Sequence, residues 1–526
     1  MPSCTVAARA FALGLGKFVS YWGKILRKFL KTAIAAGLLV AACQAPAALA
    51  ADSPKPAATQ SADKHFDLPP FPAAAHTEQT THVAGHAIDY KVTVGWLPVR
   101  NDKGKMTGQV MYTAYTVPGK NRPVTFALNG GPGASSVYLN FGAIGPKRLS
   151  FGDNGDAASN PPVLRDNPGT WLDFTDLVFI DPIGTGFSRA LVDDKKATKL
   201  FYSTDADIHY LSRIIYDWLA HNGRMTSPKY FVGESYGGFR GPRITAYLQT
   251  RLGVAMSGMI LFSPYLDPAA YRDRYVSPLP WMLNLPPIVA ARLEREGKLT
   301  PAAMQPVIDY TMTTYATTLM KGHSDPAAYK AMIEKVTQLT GLDPTFVRHS
   351  GGRISTRAYL REVHRDDKKI GSVYDSNLTS WDAFPYAPRQ MTGDPMLNAI
   401  IAPTTEAMVN FITQTVGWKY YGRYNALSYD VNKQWHEDKD ARSGSVKQLR
   451  EAVANDPGLH VLIAHGWNDL SCPFMMSILA VNQMPVMGNR DRVRVKEYKG
   501  GHMFYTRKDS SLAVRKDVKQ LVEATR

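Results

Sequence analysis

Five short and almost unbroken apolar runs constrain this chain most: "PVTFALN", "DLVFID", "KYFVGES", "GMILFS" and "HVLIAHG". A strand with one wet face alternates apolar and polar residues. Continuous Val, Ile, Leu and Phe instead suit strands covered on both faces. Helix-like stretches such as 206–222 separate the runs, and that alternation predicts an α/β fold with a mostly parallel central sheet. Two earlier runs, "IDYKVTVGWL" and "GQVMYTAYTV", flank the turn-rich "RNDKGKMTG" and predict an antiparallel hairpin at the sheet edge. "RVRVKEY" is an eighth strand-like run, near the carboxyl end.

The alternation breaks off over 267–445, where helix starts dominate. Thr300-Pro301 and Asp325-Pro326 place a capping side chain before proline at the first helical position, and Pro286-Pro287 reads as a third start. Gly297, Gly322 and Gly341 suit helix ends. The expected organisation is a core in two parts, 81–266 and 446–526, interrupted by a largely helical insertion, or cap, over 267–445.

The amino-terminal 50 residues read as a signal peptide. Lys24 to Lys31 is basic, Thr32 to Ala42 is a short apolar run, and Ala48 and Ala50 suit a small-residue cleavage site. About 20 apolar residues are needed to span a bilayer, so no transmembrane span is expected. The stretch "VAAC" resembles a bacterial lipoprotein signal, with a lipid anchor at Cys43 as the alternative to cleavage after Ala50. Both readings imply export, to the periplasm or beyond. Residues 51–80, rich in Ala, Pro, Ser and Lys, read as a flexible tether. Of three cysteines, Cys4, Cys43 and Cys472, only Cys472 outlasts cleavage, so no internal disulfide is expected.

The formal charge of +16 suggests nucleic acid at first sight. Six of those charges (Arg9, Lys17, Lys24, Arg27, Lys28 and Lys31) fall in the signal segment, which has no acid. The remainder is scattered, without the basic and aromatic interleaving of a nucleic-acid groove, so no nucleic-acid partner is expected.

Within "YFVGESYGGFR" a serine is fenced by glycines, between a strand-like run and a helix-like one. That setting suits a nucleophile elbow, whose sharp turn lifts a serine hydroxyl clear of the sheet. A serine hydroxyl needs a base and a group to orient that base. "HGWNDL" places Asp469 beyond one strand, and "GGHM" places His502 beyond the next. Ser235, Asp469 and His502 thus follow the α/β-hydrolase chain order of nucleophile, acid and base. His465 is a rival base, but it lies within a strand end and reads as a packed histidine. "ALNGGPGASS" is a glycine-dense loop able to bring backbone N–H groups to a developing oxyanion. It lacks the G-K-[ST] ending of a phosphate loop. With no HExxH and no Cys/His cluster, neither a metal nor another cofactor is expected.

Together "LNGGPGASS", "LVFIDPIGTGFSRA", "GESYGGFR", "HGWNDL" and "GGHM" resemble the serine carboxypeptidase family in order and approximate spacing, over roughly 85–265 and 445–520. The resemblance implies an α/β-hydrolase fold and a Ser235–Asp469–His502 triad. It further implies an oxyanion hole from the backbone N–H groups of Gly131 and Tyr236, and substrate-carboxylate binding by Asn129 and Glu234. Two positions depart from the pattern. Ala134 stands where the family has a cysteine, and Ala143 stands where a second glutamate is usual. Without that neighbour Glu234 is expected to titrate lower, with Arg240 or Lys147 compensating for its charge. The expected function is an exported serine carboxypeptidase that forms an acyl-enzyme on a peptide or small acyl substrate. An esterase, acyltransferase or endo-acting peptidase on the same residues, or a silent binding protein, are the alternatives.

Overall fold

The computed structural model describes residues 69–156, 161–272, 274–387, 390–438 and 444–525. The expected signal segment, Cys43 and most of the tether lie outside them. The tether was expected to run to residue 80, but the first strand, β1 (Ala75–Val83), already begins inside it. Its polar sequence "AHTEQTTHV" hid the strand, because an edge strand paired on one side keeps an exposed face.

The next strands are β2 (His86–Arg100), β3 (Met106–Thr116), β4 (Val124–Leu128), β5 (Asp176–Ile180), β6 (Lys229–Glu234), β7 (Gly258–Phe262), β8 (His460–Gly466) and β9 (Val493–Tyr498). With the short Arg189–Ala190 pairing against β3, they form one ten-stranded sheet in the order β1-β2-β3-β5-β4-β6-β7-β8-β9. β1, β2 and β3 are antiparallel neighbours, as the predicted hairpin requires. From β5 through β9 every pairing is parallel.

Both faces of the parallel strands are buried, and the side chains divide by parity. Phe126, Phe231, Leu261 and Ile463 pack into one core. Ala127, Val232, Ile260 and Leu462, their sequence neighbours, pack into the other. This is the physical origin of the continuous apolar runs. β9 alternates, with Arg494 and Lys496 on its wetter face, as suits a protected edge.

Chain order reverses between β4 and β6, since β4 leads outward to β5 and the chain then crosses back to β6. Such a switch point opens a crevice at the carboxyl ends of the strands. The segments leaving β4 and β6 are the glycine-dense loop at Asn129 and the elbow at Ser235.

Two helices back this region: α1 (Thr204–His221), capped by the Ser203 side chain, and α2 (Tyr236–Tyr247). Between β7 and β8 the chain is largely helical, beginning with α3 (Leu279–Arg295). The Thr300 and Asp325 side chains cap the two helices that start at Pro301 and Pro326, and Gly341 ends the second in a left-handed conformation. Pro286 and Pro287, however, lie inside α3 rather than at its start. Both are buried with Leu283, Leu285 and Ile288, so packing of that face outweighs the backbone donors they lack. The last helices are α4 (Phe474–Asn482) and α5 (Lys508–Ala524).

A buried ion pair ties α1 to α2: Arg240 Nε donates to Asp207 Oδ2 at 2.6 Å, and Arg240 Nη1 to the Asn129 carbonyl at 2.6 Å. Arg240→Met should leave Asp207 buried without its countercharge. A loss of about 3–5 kcal/mol in denaturant unfolding is expected, and a loss below about 1 kcal/mol would show the pair to be dispensable.

Candidate active site

The elbow forms because three positions leave no room for a side chain. A Cβ on Gly233 would stand 2.1 Å from the Gly237 carbonyl oxygen, and one on Gly237 would stand 2.1 Å from that of Leu128. A Cβ on Gly130 would stand 2.5 Å from the Tyr236 nitrogen. Ser235 sits in this turn at φ 59° and ψ −119°, a conformation that costs a non-glycine residue of the order of 1–3 kcal/mol. The turn is held by Ser235 N–H donating to the Phe262 carbonyl at 2.9 Å, and by its own carbonyl accepting from Tyr265 N–H at 3.1 Å. Ser235 therefore stands half-buried at the amino end of α2, where the helix dipole favours negative charge.

Ser235 opens onto a cavity of about 320 Å³ that also reaches Asn129, Gly131, Glu234, Tyr236 and His502. The cavity thus gathers every site residue foreseen from the sequence except Asp469, which sits behind His502. Asp469 is fully buried, and its Oδ2 lies 2.8 Å from His502 Nδ1. Its other oxygen accepts from the backbone N–H groups of Ser471 and Cys472, at 2.8 and 2.9 Å. Burial alone would lower the pKa of His502, but the Asp469 carboxylate more than reverses this and holds it well above the usual value.

His465 has no part in this arrangement. It is buried, lies 2.8 Å from the Ser477 hydroxyl through Nε2, and is held neutral by burial, with a pKa of about 4. Asp469, Cys472 and His502 offer ligand atoms within 4.8 Å of one another. The direct Asp469–His502 bond accounts for that proximity without an ion.

The sequence led to two expectations about Glu234 that the structure corrects. Its pKa is pushed up, to about 7, because burial penalises the carboxylate more than its neighbours favour it. Nor do Arg240 and Lys147 compensate its charge. Arg240 is 1% exposed and committed to Asp207, and Lys147 pairs with Asp166 and the Thr80 carbonyl. Instead Glu234 has two neutral partners, accepting from Asn129 Nδ2 and, at 2.7 Å, from the Tyr505 hydroxyl. Asn129 is fixed in turn by its Oδ1 accepting from Leu139 N–H at 2.9 Å.

Tyr505 escaped the sequence reading, since nothing in "HMFYT" marks its phenol as reaching β6. Its ring packs on the turn that carries Ala143: a Cβ on Gly142 would lie 3.3 Å from Tyr505 Cε2. Ala143 itself is buried and does not face the cavity. The insertion contributes further walls that no motif announced, among them Tyr374, Leu397 and Tyr429. Cys472 also lines the cavity, with its thiol against His502 and its pKa raised by burial.

A mostly parallel sheet, a serine at a strand–turn–helix elbow and a switch-point crevice define an α/β-hydrolase. Residues 84–350 match the serine carboxypeptidase family model. The chain belongs to that family.

Among its relatives, serine carboxypeptidase-like 50 of Arabidopsis thaliana is 34% identical over 158 residues, covering 29% of this chain and 33% of the relative. Pheromone-processing carboxypeptidase kex1 of Sclerotinia sclerotiorum is 33% identical over 175 residues, covering 31% of this chain and 25% of the relative. The chain therefore spans a third or less of the length of either relative. The crystal structure of a prohormone-processing carboxypeptidase from Saccharomyces cerevisiae, Kex1(delta)p, superposes with a TM-score of 0.52 at 14% identity. That match covers 82% of this chain and 91% of the other and supports the fold.

A carboxyl whose folded pKa lies above its unfolded value stabilises the fold only while protonated, below the unfolded pKa, and loses that contribution as pH rises through the folded pKa. For Glu234 the window runs from 4.5 to about 7. Glu234→Gln should therefore gain on the wild type by as much as about 3 kcal/mol between those pH values and stay level above them. Urea unfolding at a series of pH values checks this, and a difference independent of pH would contradict it.

Proposed function

We propose that this protein is an exported serine carboxypeptidase that works through an acyl-enzyme on Ser235. One observation carries the reading: Ser235, the Asp469-bound His502 and a buried, protonatable Glu234 all converge on one cavity. His502 Nε2 takes the Ser235 proton as Oγ attacks the scissile carbonyl. Asp469 keeps Nδ1 protonated and stabilises the imidazolium that forms. The backbone N–H groups of Gly131 and Tyr236 receive the oxyanion, aided by the α2 dipole. His502 then gives its proton to the leaving amine, and the acyl-enzyme is hydrolysed by water that His502 deprotonates.

Restriction to the carboxyl terminus comes from Asn129 and Glu234. A protonated Glu234 donates a hydrogen bond to the substrate carboxylate, whereas an ionised one repels it. Tyr505 orients Glu234 and favours its ionised form, opposing burial. Burial does here what a second carboxyl would do by sharing a proton. The insertion over 267–445 is assigned as a cap, because its aromatic residues wall the cavity. Export rests on the amino-terminal signal pattern, with a lipid anchor at Cys43 as its alternative. Among the described residues no helix is long and apolar enough to cross a membrane.

Acyl-dipeptides with free and amidated carboxyl termini test this directly. The ratio of their kcat/KM values cancels the titration of His502 and reports Glu234. It should favour the free acid and fall as pH rises through about 7. In Tyr505→Phe the fall should move to higher pH, because a donor to the Glu234 anion is lost. Equal rates on both substrates at every pH would overturn the carboxypeptidase assignment.

A further inference from the structure

Two features near His502 have no role in the chemistry above: the glycine pair that precedes it, and a cluster of partly buried charges behind it. They are parts of one arrangement. A Cβ on Gly501 would lie 1.9 Å from the Tyr374 carbonyl oxygen, and one on Gly500 would lie 2.8 Å from Arg507 Nε. Gly501 is bare because the Tyr374 carbonyl, in the insertion, presses directly on the loop that carries the base, while Gly500 turns at φ 110° with the Arg507 side chain alongside.

Arg507 is the hub. Its Nη1 donates to Glu294 Oε1 and its Nη2 to Asp375 Oδ2, both at 2.5 Å. Glu294 lies on α3, and Asp375 lies in the insertion turn that includes Tyr374. The second oxygen of Glu294 accepts from Asn468, the residue immediately before Asp469, and from Asn377 at 3.0 Å. The same turn grips both catalytic loops through its backbone. The Val373 carbonyl accepts from Leu470 N–H at 3.1 Å, and the Tyr374 carbonyl accepts from His502 N–H. The Tyr374 ring stands edge-on to the His502 ring at 5.2 Å. Asn468 N–H closes the loop-to-loop contact on the Gly500 carbonyl at 2.8 Å.

We infer that Arg507, bridging Glu294 and Asp375, is a positioning residue that sets Asp469 against His502, so that the insertion completes the acid–base pair as well as covering it. Asp469 and His502 leave different strands, β8 and β9, on separate loops with no covalent link. The Arg507 cluster joins those loops to each other and to α3. Charge-assisted bonds of this kind are stronger than neutral ones and hold their geometry. A displacement of about 1 Å at such a pair costs up to about a hundredfold in rate. One guanidinium serves two carboxylates, so neutralising either carboxylate slackens the hub without leaving an unpaired cation.

This inference rests on Ser235 being the nucleophile, so its test reads the pair separately from turnover. Glu294→Gln, Asp375→Asn and Arg507→Met are compared with Arg361→Met, which breaks the Arg361–Asp382 pair elsewhere in the insertion. The readouts are the rate at which a fluorophosphonate labels Ser235, the downfield proton resonance of the His502 Nδ1–H, and thermal stability. Labelling should slow by about tenfold to a hundredfold in the cluster variants, with the resonance shifted or broadened. Arg361→Met should lose stability while keeping both. If Arg507→Met does not fold, the two isosteric variants decide the matter. An unmoved resonance with labelling within about twofold of wild type in the folded cluster variants would overturn the inference. A wild type that is not labelled would instead overturn the role of Ser235, and the resonance alone would then judge the cluster.

Discussion

The left-handed turn at Ser235 is the constraint on which the rest of this structure depends. β6 ends in a backbone conformation that an L-residue resists, with the carbonyls of Leu128 and Gly237 packed closely around it. Those approaches require Gly233 and Gly237, and Gly130 leaves room for the Tyr236 nitrogen, where β4 lies beside β6 at the point where strand order reverses. The glycine-dense loop at Asn129, Ser235 and Glu234 are brought together by that packing. Arg240 secures it from behind, joining α1, α2 and the Asn129 carbonyl.

Charge is then placed according to what each site must avoid. A fixed cation beside Glu234 would hold it ionised. Arg240 and Lys147 are spent on Asp207 and Asp166, and among the described residues Glu234 accepts hydrogen bonds from an amide and a phenol, while the charge of His502 draws its pKa down against burial. His502 is treated in the opposite way, with a buried anion against one nitrogen. Two buried titratable groups on one cavity are thereby driven by different causes, burial for Glu234 and a countercharge for His502.

Much of this was legible in the sequence, because burial on both sides of a strand writes itself into composition. β4, β5, β6, β7 and β8 announced themselves as apolar runs, and the elbow announced itself through its glycines. Where partners are remote in the chain, the sequence was mute. Tyr505 meets Glu234 across 271 positions, and Arg507 meets Glu294 across 213, with no local pattern at either end. The titration of Glu234 was misread because sequence shows which charges are near but not how dry the site is. Pro286 and Pro287 were misread as a helix start because tertiary packing overrode a local rule.

The central claim is that Ser235, rather than the Cys472 thiol lying beside the same histidine, carries the acyl group. Rapid acid quench of the enzyme with an activated acyl ester, followed by peptide mass mapping, addresses it most directly. An acyl adduct on the peptide containing "GESYGG", absent from Ser235→Ala, is the predicted result. An adduct on the peptide containing Cys472, or none on either while product accumulates in a burst, would contradict it.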